Sequence, residues 1–274
     1  MDEGPVERSI QATAVVLAAA GAAGWLAFGA PRPPVPPDRP QGLEPKGVSS
    51  DAPSGVTTHA RERVSPGVNL VSWSTAPEAA LLDMDGAELH RWSQPWPVAS
   101  EHRDQLWSRV ALLADGDLVV LLENIGVMRL DRASQVVWHR PTRAHDDLSV
   151  RADGSVLVLT RQDRNLEEIS HLDGIHDDVL LAIGPEGTPG DKVSIFDAWR
   201  AGPDRTWLED ATRGGALLRV NGFDELGPGR PAPLVDGHVL LSVSRLDRLA
   251  VLDPSPGRIT AITDGPWRAS NDPH

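Results

Sequence analysis

Short apolar runs separated by Asp-Gly turns recur through the last two thirds of the chain. Three stretches consist of an apolar residue, an Asp-Gly pair and a second apolar run: LLADGDLVVLL (112–122), VRADGSVLVLT (150–160) and LVDGHVLLSVS (234–244). An Asp-Gly pair between apolar runs is typical of a β-hairpin, because the turn needs a residue with positive φ. The pattern therefore predicts a hairpin at each of these three places.

A second hairpin phrase alternates with the first. It consists of a strand, an acidic or glycine turn and a β-branched strand, and it occurs in LLDMDGAELHRW (81–92), MRLDRASQVVWH (128–139), LAIGPEGTPGDKVSI (181–195) and AVLDPSPGRITAI (250–262). Asp115 and Asp153, in successive Asp-Gly pairs, are 38 residues apart. A β repeat of about 40 residues with four short strands is typical of propeller blades.

We therefore predict an all-β fold, a β-propeller with four to five recognisable blades between residues 68 and 274. A β-sandwich is the alternative, but a sandwich does not require the two hairpins to alternate. Helical periodicity is nearly absent after residue 70, and only SIFDAWRAG (194–202) predicts a short helix. The chain ends directly after a predicted strand, so we expect it to be truncated or its last blade to be completed unusually.

The amino-terminal third predicts a different organisation. Residues 9–30 carry no charge and are long enough to cross a bilayer as a helix. A cleaved signal peptide ending near Ala27-Phe28-Gly29 is the alternative. Residues 31–67 are rich in proline, glycine, serine and charge and predict a linker. The predicted organisation is thus a tail and anchor (1–30), a linker (31–67) and a membrane-anchored propeller (68–274) outside the cytoplasm.

Composition and charge exclude several kinds of chemistry. The chain has no cysteine, which excludes disulfides, zinc-thiolate sites and thiol nucleophiles. Its net charge of −13 disfavours nucleic-acid binding. Nucleotide, metalloprotease and serine-hydrolase motifs are absent from the sequence. We therefore expect no cofactor, no metal and no nucleic-acid partner.

An ordered series of phrases from residue 68 to the end resembles the bacterial arylsulfotransferase family of the six-bladed propeller type. The phrases are Val68-Asn69-Leu70 leading to Leu82-Asp83-Met84-Asp85-Gly86, then Ala144-His145-Asp146-Asp147-Leu148-Ser149-Val150 with Asp153-Gly154, Asp177-Asp178-Val179-Leu180, Leu218-Arg219-Val220-Asn221, Leu241-Ser242-Val243-Ser244-Arg245, and Gly265-Pro266-Trp267-Arg268 with Asn271-Asp272-Pro273. The resemblance implies transfer of a sulfuryl group from a phenolic sulfate ester to a phenol, through a sulfated histidine in a central funnel.

The family's site phrases are only partly kept. Its His-His-Asp phrase reads His145-Asp146-Asp147, its His-x-Asn phrase reads Arg219-Val220-Asn221, its Ser-Arg phrase reads Ser244-Arg245, and its nucleophile phrase Gln-His-Asp reads Ser270-Asn271-Asp272. Because an amide nitrogen is not a useful nucleophile, Asn271 cannot form the sulfated intermediate. Arginine and histidine donors around the site would still hold an aryl sulfate or another anion.

These residues give the candidate site. The catalytic candidates are His145, Arg245 and Arg219, with His145 and Arg245 as oxyanion-stabilising or base residues; the substrate-binding candidates are Asn221, Asn271 and Asp146. The expected partners are a small aryl sulfate or phenol and the membrane, and homo-oligomerisation is left open. A non-catalytic propeller that binds an anion or a protein is the alternative function. Adjacent acids on a strand point to opposite faces, which disfavours a metal site at Asp146 and Asp147.

Tryptophans recur near the predicted blade ends, at Trp92, Trp138 and Trp267. Large aromatic side chains dominate the packing of protein cores. We therefore predict that these three pack between blades rather than form an aromatic cage around a substrate.

Overall fold

The computed structural model describes residues 15–17, 56, 59–73, 76–95, 106–165, 174–203, 215–216, 218–227 and 237–264. The fold is all-β, with four antiparallel sheets that follow one another along the chain. The described residues divide into two compact units. One unit contains those up to Val120 together with Arg129–Val137, and the other contains Leu121–Met128 together with those from Trp138 onward.

The first two sheets have four strands each, paired in chain order. The first sheet contains β1 (Val15–Leu17), β2 (Val68–Ser72), β3 (Glu78–Leu82) and β4 (Glu88–Ser93). The second contains β5 (Trp107–Leu112), β6 (Leu118–Leu122), β7 (Gly126–Leu130) and β8 (Val136–Pro141). Strand β6 is buried along its whole length.

The third and fourth sheets repeat this order. The third contains β9 (Ala144–Val150), β10 (Val156–Arg164), β11 (Ile175–Ile183) and β12 (Pro189–Ser194), and the two-residue β13 (Gly215–Ala216) pairs parallel to β11. The fourth contains β14 (Val220–Glu225), β15 (Val239–Val243), β16 (Arg248–Asp253) and β17 (Arg258–Asp264). Each is an up-and-down meander, which is the strand order of a propeller blade and confirms the predicted all-β repeat.

Six of the seven predicted hairpins lie where the two phrases placed them; at the third Asp-Gly phrase β15 pairs with β14, which ends at Glu225, and residues 234–236 lie outside the described residues. Gly116, Gly154 and Gly237 have φ of +91°, +82° and +81°, as the Asp-Gly turns require. In the second phrase the turn aspartate closes the hairpin. The Oδ1 atom of Asp131 accepts hydrogen bonds from the backbone N–H groups of Ala133 and Gln135, both at 2.8 Å. This local bond explains why the phrase carries an aspartate at that position.

Turns between third and fourth strands pack against the last strand of the preceding sheet. Trp138 of β8 donates its indole N–H to the carbonyl of Pro185 at 2.8 Å, and its ring covers Gly187. A Cβ at Gly187 would lie 2.7 Å from Trp138 Cγ, so a side chain does not fit there. Trp92 and Trp138 are both buried, at 0% and 7% exposure, whereas Trp267 lies outside the described residues.

The predicted short helix is also present, as α1 (Ile195–Arg200). The hydroxyl of Ser194 caps it by accepting a hydrogen bond from the N–H of Asp197 at 3.0 Å. Phe196 and Trp199 on this helix are buried in a core between the third and fourth sheets that includes Leu159 and Leu241. Among the described residues, single 3-10 turns lie at Arg61–Arg63 and Ser244–Leu246.

The amino-terminal prediction differs from the structure at three residues. Val15–Leu17, inside the predicted membrane helix, form β1 and pair with β2, so they are a strand in place of a helix. Consecutive β-branched valines favour a strand, and pairing covers the open side of β2. The rest of the predicted anchor lies outside the described residues. Among the residues that are described, no helix is long and apolar enough to cross a membrane.

The end of the predicted linker contacts the first sheet. His59 Nδ1 lies 2.8 Å from Asp85 Oδ1, and Arg61 Nη2 lies 2.6 Å from Asp85 Oδ2. Asp85 belongs to the turn between β3 and β4, so His59 and Arg61, which lie inside the predicted linker, contact the first sheet.

Candidate functional site

An open cleft of about 870 Å³ lies within the second unit, and every residue that lines it is polar or charged. The lining residues are Glu123, Asp146, Arg161, Arg219, Asn221, Ser244 and Arg245. They come from the β6–β7 turn, β9, β10, the start of β14 and the turn after β15. Parts of three successive sheets therefore build the cleft.

Four of the six predicted site residues line this cleft: Asp146, Arg219, Asn221 and Arg245. His145 lies beside them but is 0% exposed and does not line the cleft. Asn271 lies outside the described residues. Glu123 and Arg161 are lining residues that the sequence analysis missed.

The spacing of Glu123 and Arg161 from the Asp-Gly phrases in the sequence could have identified both residues. Glu123 lies eight residues after Asp115, Arg161 eight after Asp153, and Ser244 eight after Asp236, each counted from the aspartate of an Asp-Gly phrase. The second strands of three sheets therefore present equivalent positions to one cleft.

A bulge in β9 aims Asp146 into the cleft. Leu148 pairs with Val158 and Ala144 with Thr160, so the three residues 145–147 stand opposite the single residue Leu159. Asp146 has φ of +56°, a conformation that costs a non-glycine residue on the order of 1 kcal/mol. The bulge breaks the alternation of side chains that the sequence analysis assumed for these acids. His145 lies in the interior, and Asp146, the residue with positive φ in the middle of the bulge, lines the cleft.

A second bulge lies in β14. Val220 pairs with Val243 and Gly222 with Ser242, so Asn221 is the extra residue. Arg219, directly before the strand, has φ of +52°. The hydroxyl of Ser244 donates to the carbonyl of Arg219 at 2.8 Å, which joins the turn after β15 to the start of β14. Two lining arginines, Arg219 and Arg245, thus lie on neighbouring segments.

Two carboxylates bracket the bulge in β14. Asp178 Oδ2 accepts a hydrogen bond from the N–H of Val220 at 2.8 Å, and Asp147 Oδ2 accepts one from the N–H of Phe223 at 3.1 Å. Because β14 is the first strand of its sheet, amides that face away from β15 need acceptors from elsewhere. Asp178 is fully buried, so this bond is shielded from water.

His145 is a buried cation below the cleft. Its Nδ1 lies 2.9 Å from Asp146 Oδ2, and its Nε2 lies 3.3 Å from Asp178 Oδ1. Burial by itself lowers the pKa of His145, but the carboxylates of Asp146 and Asp178 outweigh it and raise the pKa to about 9. The ring is therefore protonated at neutral pH and has no lone pair to act as a base or nucleophile.

The two acids of the lining have opposite tendencies. The hydrogen bond with His145 lowers the pKa of Asp146, which stays ionised. Burial raises the pKa of Glu123, and the negative charge of Asp146 adds to the effect. Glu123 Oε2 also accepts a hydrogen bond from the N–H of Asp146 at 3.1 Å, so the two acids form one side of the cleft.

Positive charge exceeds negative charge among the lining residues. Three guanidinium groups, Arg161, Arg219 and Arg245, accompany the two carboxylates in a chain whose net charge is −13. Such a local excess of arginine favours an oxyanion, which guanidinium groups bind through paired N–H donors. Across the described part of the chain, no group of three histidine, aspartate or glutamate side chains is arranged to hold a metal ion.

Comparison with known proteins gives similar structures but no family. No protein-family model matches the chain, and no curated protein matches it. Similar solved structures include a protein of unknown function from Bacteroides caccae (14% identity, TM-score 0.41, 73% of this chain and 59% of that one) and BamB from Moraxella catarrhalis (15%, 0.36, 72% and 49%). Another is the β-propeller domain of Cps50 (Swd1) from Myceliophteria thermophila (11%, 0.40, 73% and 70%). The matched part of this chain thus spans between half and three fifths of the first two structures.

Proposed function

We propose that the cleft binds the sulfate-ester group of an aromatic sulfate. The observation that carries the proposal is the convergence of Arg161, Arg219 and Arg245 on one open cleft. A sulfate ester spreads a single negative charge over three oxygens, and fixed guanidinium groups match that distribution. Asn221 and Ser244 add neutral polar groups to the same lining. The resemblance to arylsulfotransferases favours a sulfate ester over other oxyanions, and it also supports counting the four sheets as blades of a six-bladed propeller.

Sulfuryl transfer is the second candidate function, and the position of Glu123 favours it. In a direct transfer, the oxygen of an acceptor phenol forms a new S–O bond while the S–O bond to the donor's aryl oxygen breaks. The proton of the acceptor passes to the Glu123 carboxylate, and the donor leaves as a phenolate whose charge the arginines stabilise. This route needs no sulfated histidine, which agrees with Asn271 at the nucleophile position and with a protonated His145.

Binding is tested by calorimetry on the full-length chain with p-nitrophenyl sulfate at neutral pH. We expect saturable binding that weakens about tenfold or more in Arg219→Gln and in Arg245→Gln, because each loses charge-assisted hydrogen bonds. Arg151→Gln is the matched control, since Arg151 pairs with Glu225 and does not line the cleft. Absence of binding, or equal losses in all three variants, would overturn the proposal.

Transfer is tested by release of p-nitrophenol from the same ester in the presence of a phenol acceptor. We expect release that depends on the acceptor and falls at least 100-fold in Glu123→Gln, because general bases contribute factors of that order. Binding without any release would leave a non-catalytic protein that recognises an anion.

A further inference from the structure

Two consecutive aspartates on β11 are both fully buried but meet different surroundings. Asp177 accepts hydrogen bonds from Arg164 at 2.9 Å, Ser194 at 2.7 Å and the N–H of Phe196 at 3.2 Å, all beside α1. Asp178 points to the other face of the strand and toward the cleft. Asp177 therefore stabilises the region around α1, whereas the role of Asp178 must lie near the cleft.

Asp178 touches three different parts of the cleft. Its Oδ2 accepts from the N–H of Val220, the residue between the lining side chains Arg219 and Asn221. Its Oδ1 lies 3.3 Å from His145 Nε2 and 3.5 Å from Arg161 Nε. His145 in turn binds Asp146 through its other nitrogen. The carboxylate of Asp178 thus contacts Arg161 directly and reaches Asp146 through His145. Through Val220 it also reaches Arg219 and Asn221, so it is connected to four of the seven lining residues.

We propose that Asp178 is the positioning residue of the cleft: its single buried carboxylate holds the start of β14, the Arg161 side chain and, through His145, Asp146 in one arrangement. The proposal rests on the proposed binding of an anion, since it says what keeps the binding groups in place. Asp178 itself does not line the cleft.

Replacing Asp178 by asparagine removes its negative charge but keeps a hydrogen-bond acceptor, so this variant tests the role of the charge. In Asp178→Asn the amide oxygen still accepts from the N–H of Val220, but His145 and Arg161 lose their common counter-charge. The charged groups that face His145 are then Asp146, Glu123 and Arg161. Because burial favours the neutral ring, we expect the pKa of His145 to fall well below about 9.

The direction of the affinity change is diagnostic. If Asp178 acted only as a charge near the ligand, its removal would make the cleft more positive and strengthen the binding of an anion. A positioning role predicts the reverse. When Arg161 and His145 lose their common counter-charge, Arg161 and Asp146 are no longer held in place, the donors no longer converge, and affinity falls.

The experiment compares full-length Asp178→Asn with Asp177→Asn, a matched control at the adjacent buried position. The pKa of His145 is followed by NMR titration of the imidazole, assigned by its loss in His145→Gln, and the affinity for p-nitrophenyl sulfate is measured from pH 6 to 10. We expect Asp178→Asn to lower the pKa of His145 by at least one unit and weaken binding at least tenfold. Asp177→Asn should lower the melting temperature and leave both readouts unchanged.

The titration of His145 and the affinity for p-nitrophenyl sulfate test different parts of the proposal. An unchanged His145 titration, or binding as tight as in the unaltered protein, would overturn the role of Asp178. If the unaltered protein binds no aryl sulfate, the proposed function falls, and the titration alone then decides whether Asp178 controls His145. Where Asp178→Asn does not fold cooperatively, Asp178→Glu replaces it. That variant keeps the charge, so it should retain a protonated His145 while its longer side chain weakens binding.

Discussion

Two regions of the protein differ in the regularity of their backbone. One consists of the turns between the third and fourth strands of each sheet, and the other of the first strands β9 and β14. The turns are regular: an aspartate or glycine phrase closes each hairpin, and every residue that needs a positive φ is glycine, apart from Ser134. The first strands β9 and β14 are irregular, with bulges and with positive φ at Asp146 and Arg219. The regular turns pack sheet against sheet, whereas the irregular strands supply the cleft.

This difference shows which residues lower the folding stability of the protein. Non-glycine residues with positive φ store strain, and bulges interrupt pairing, so both persist only when the surrounding structure compensates. Here the compensation comes from the carboxylates of Asp147 and Asp178, which accept hydrogen bonds from the β14 amides of Phe223 and Val220. The regular turns therefore support the packing of the sheets, and the non-glycine residues with positive φ in the first strands shape the cleft. Four substitutions or conditions test that division.

The largest expected effect is on a regular turn. In Gly187→Ala the new Cβ would lie 2.7 Å from Trp138 Cγ, and alanine would be held at φ of +75°. Strain and overpacking together should lower the free energy of unfolding by about 2–4 kcal/mol, measured by denaturant titration. Gly154→Ala is the control, because φ is similar there at +82° but the nearest atom is 3.7 Å away. Equal losses in the two variants would refute the close contact with Trp138.

A second test raises the pH. The folded pKa of His145, about 9, lies above its ordinary value of 6.5, so the stability that protonation adds is complete below pH 6.5. It is lost as the pH rises through 9, and the loss is about 3 kcal/mol. Thermal unfolding between pH 6 and 10 measures it. His145→Gln should be less stable at pH 6 and should lack this component of the decline; a parallel decline would contradict the pairing with Asp146 and Asp178.

The third test separates binding from stability. Arg245→Gln should weaken aryl sulfate binding about tenfold, a change of about 1.4 kcal/mol, while the free energy of unfolding changes by about 0.5 kcal/mol or less. Calorimetry and denaturant titration on the same sample measure both. A loss of stability as large as the loss of affinity would mean that the arginine belongs to the scaffold.

The smallest expected effect is on a turn aspartate. Asp131→Ala removes the acceptor for the N–H groups of Ala133 and Gln135 and should cost about 1 kcal/mol of folding stability without changing affinity. Asp131→Asn keeps an oxygen at Oδ1 and should cost less. Thermal melting compares the two, and an equal cost would show that the charge matters more than the two hydrogen bonds.

The sequence predicts the regular region well because its rules are local. An Asp-Gly pair fixes a positive φ, and an aspartate before a turn binds amides two and four residues ahead, so Gly116 and Asp131 are readable from neighbouring residues alone. The short helix at 194–202 is readable for the same reason, since Ser194 caps it.

The cleft is only partly predictable because a change of register leaves no local trace. Nothing in the phrase around His145 shows that three residues stand opposite one, or that Asp146 takes a positive φ. The roles of Arg161 and Glu123 depend on strands that meet only in the folded chain. The strand at Val15–Leu17 likewise depends on pairing with β2, 50 or more residues away in sequence.

Glu123, Arg161 and Ser244 each lie eight residues after the aspartate of an Asp-Gly pair, so each of three repeats supplies one lining residue at an equivalent position. Each of these side chains stands at the same place in its own repeat, so exchanging one for another should alter ligand preference while leaving the strand pairing intact.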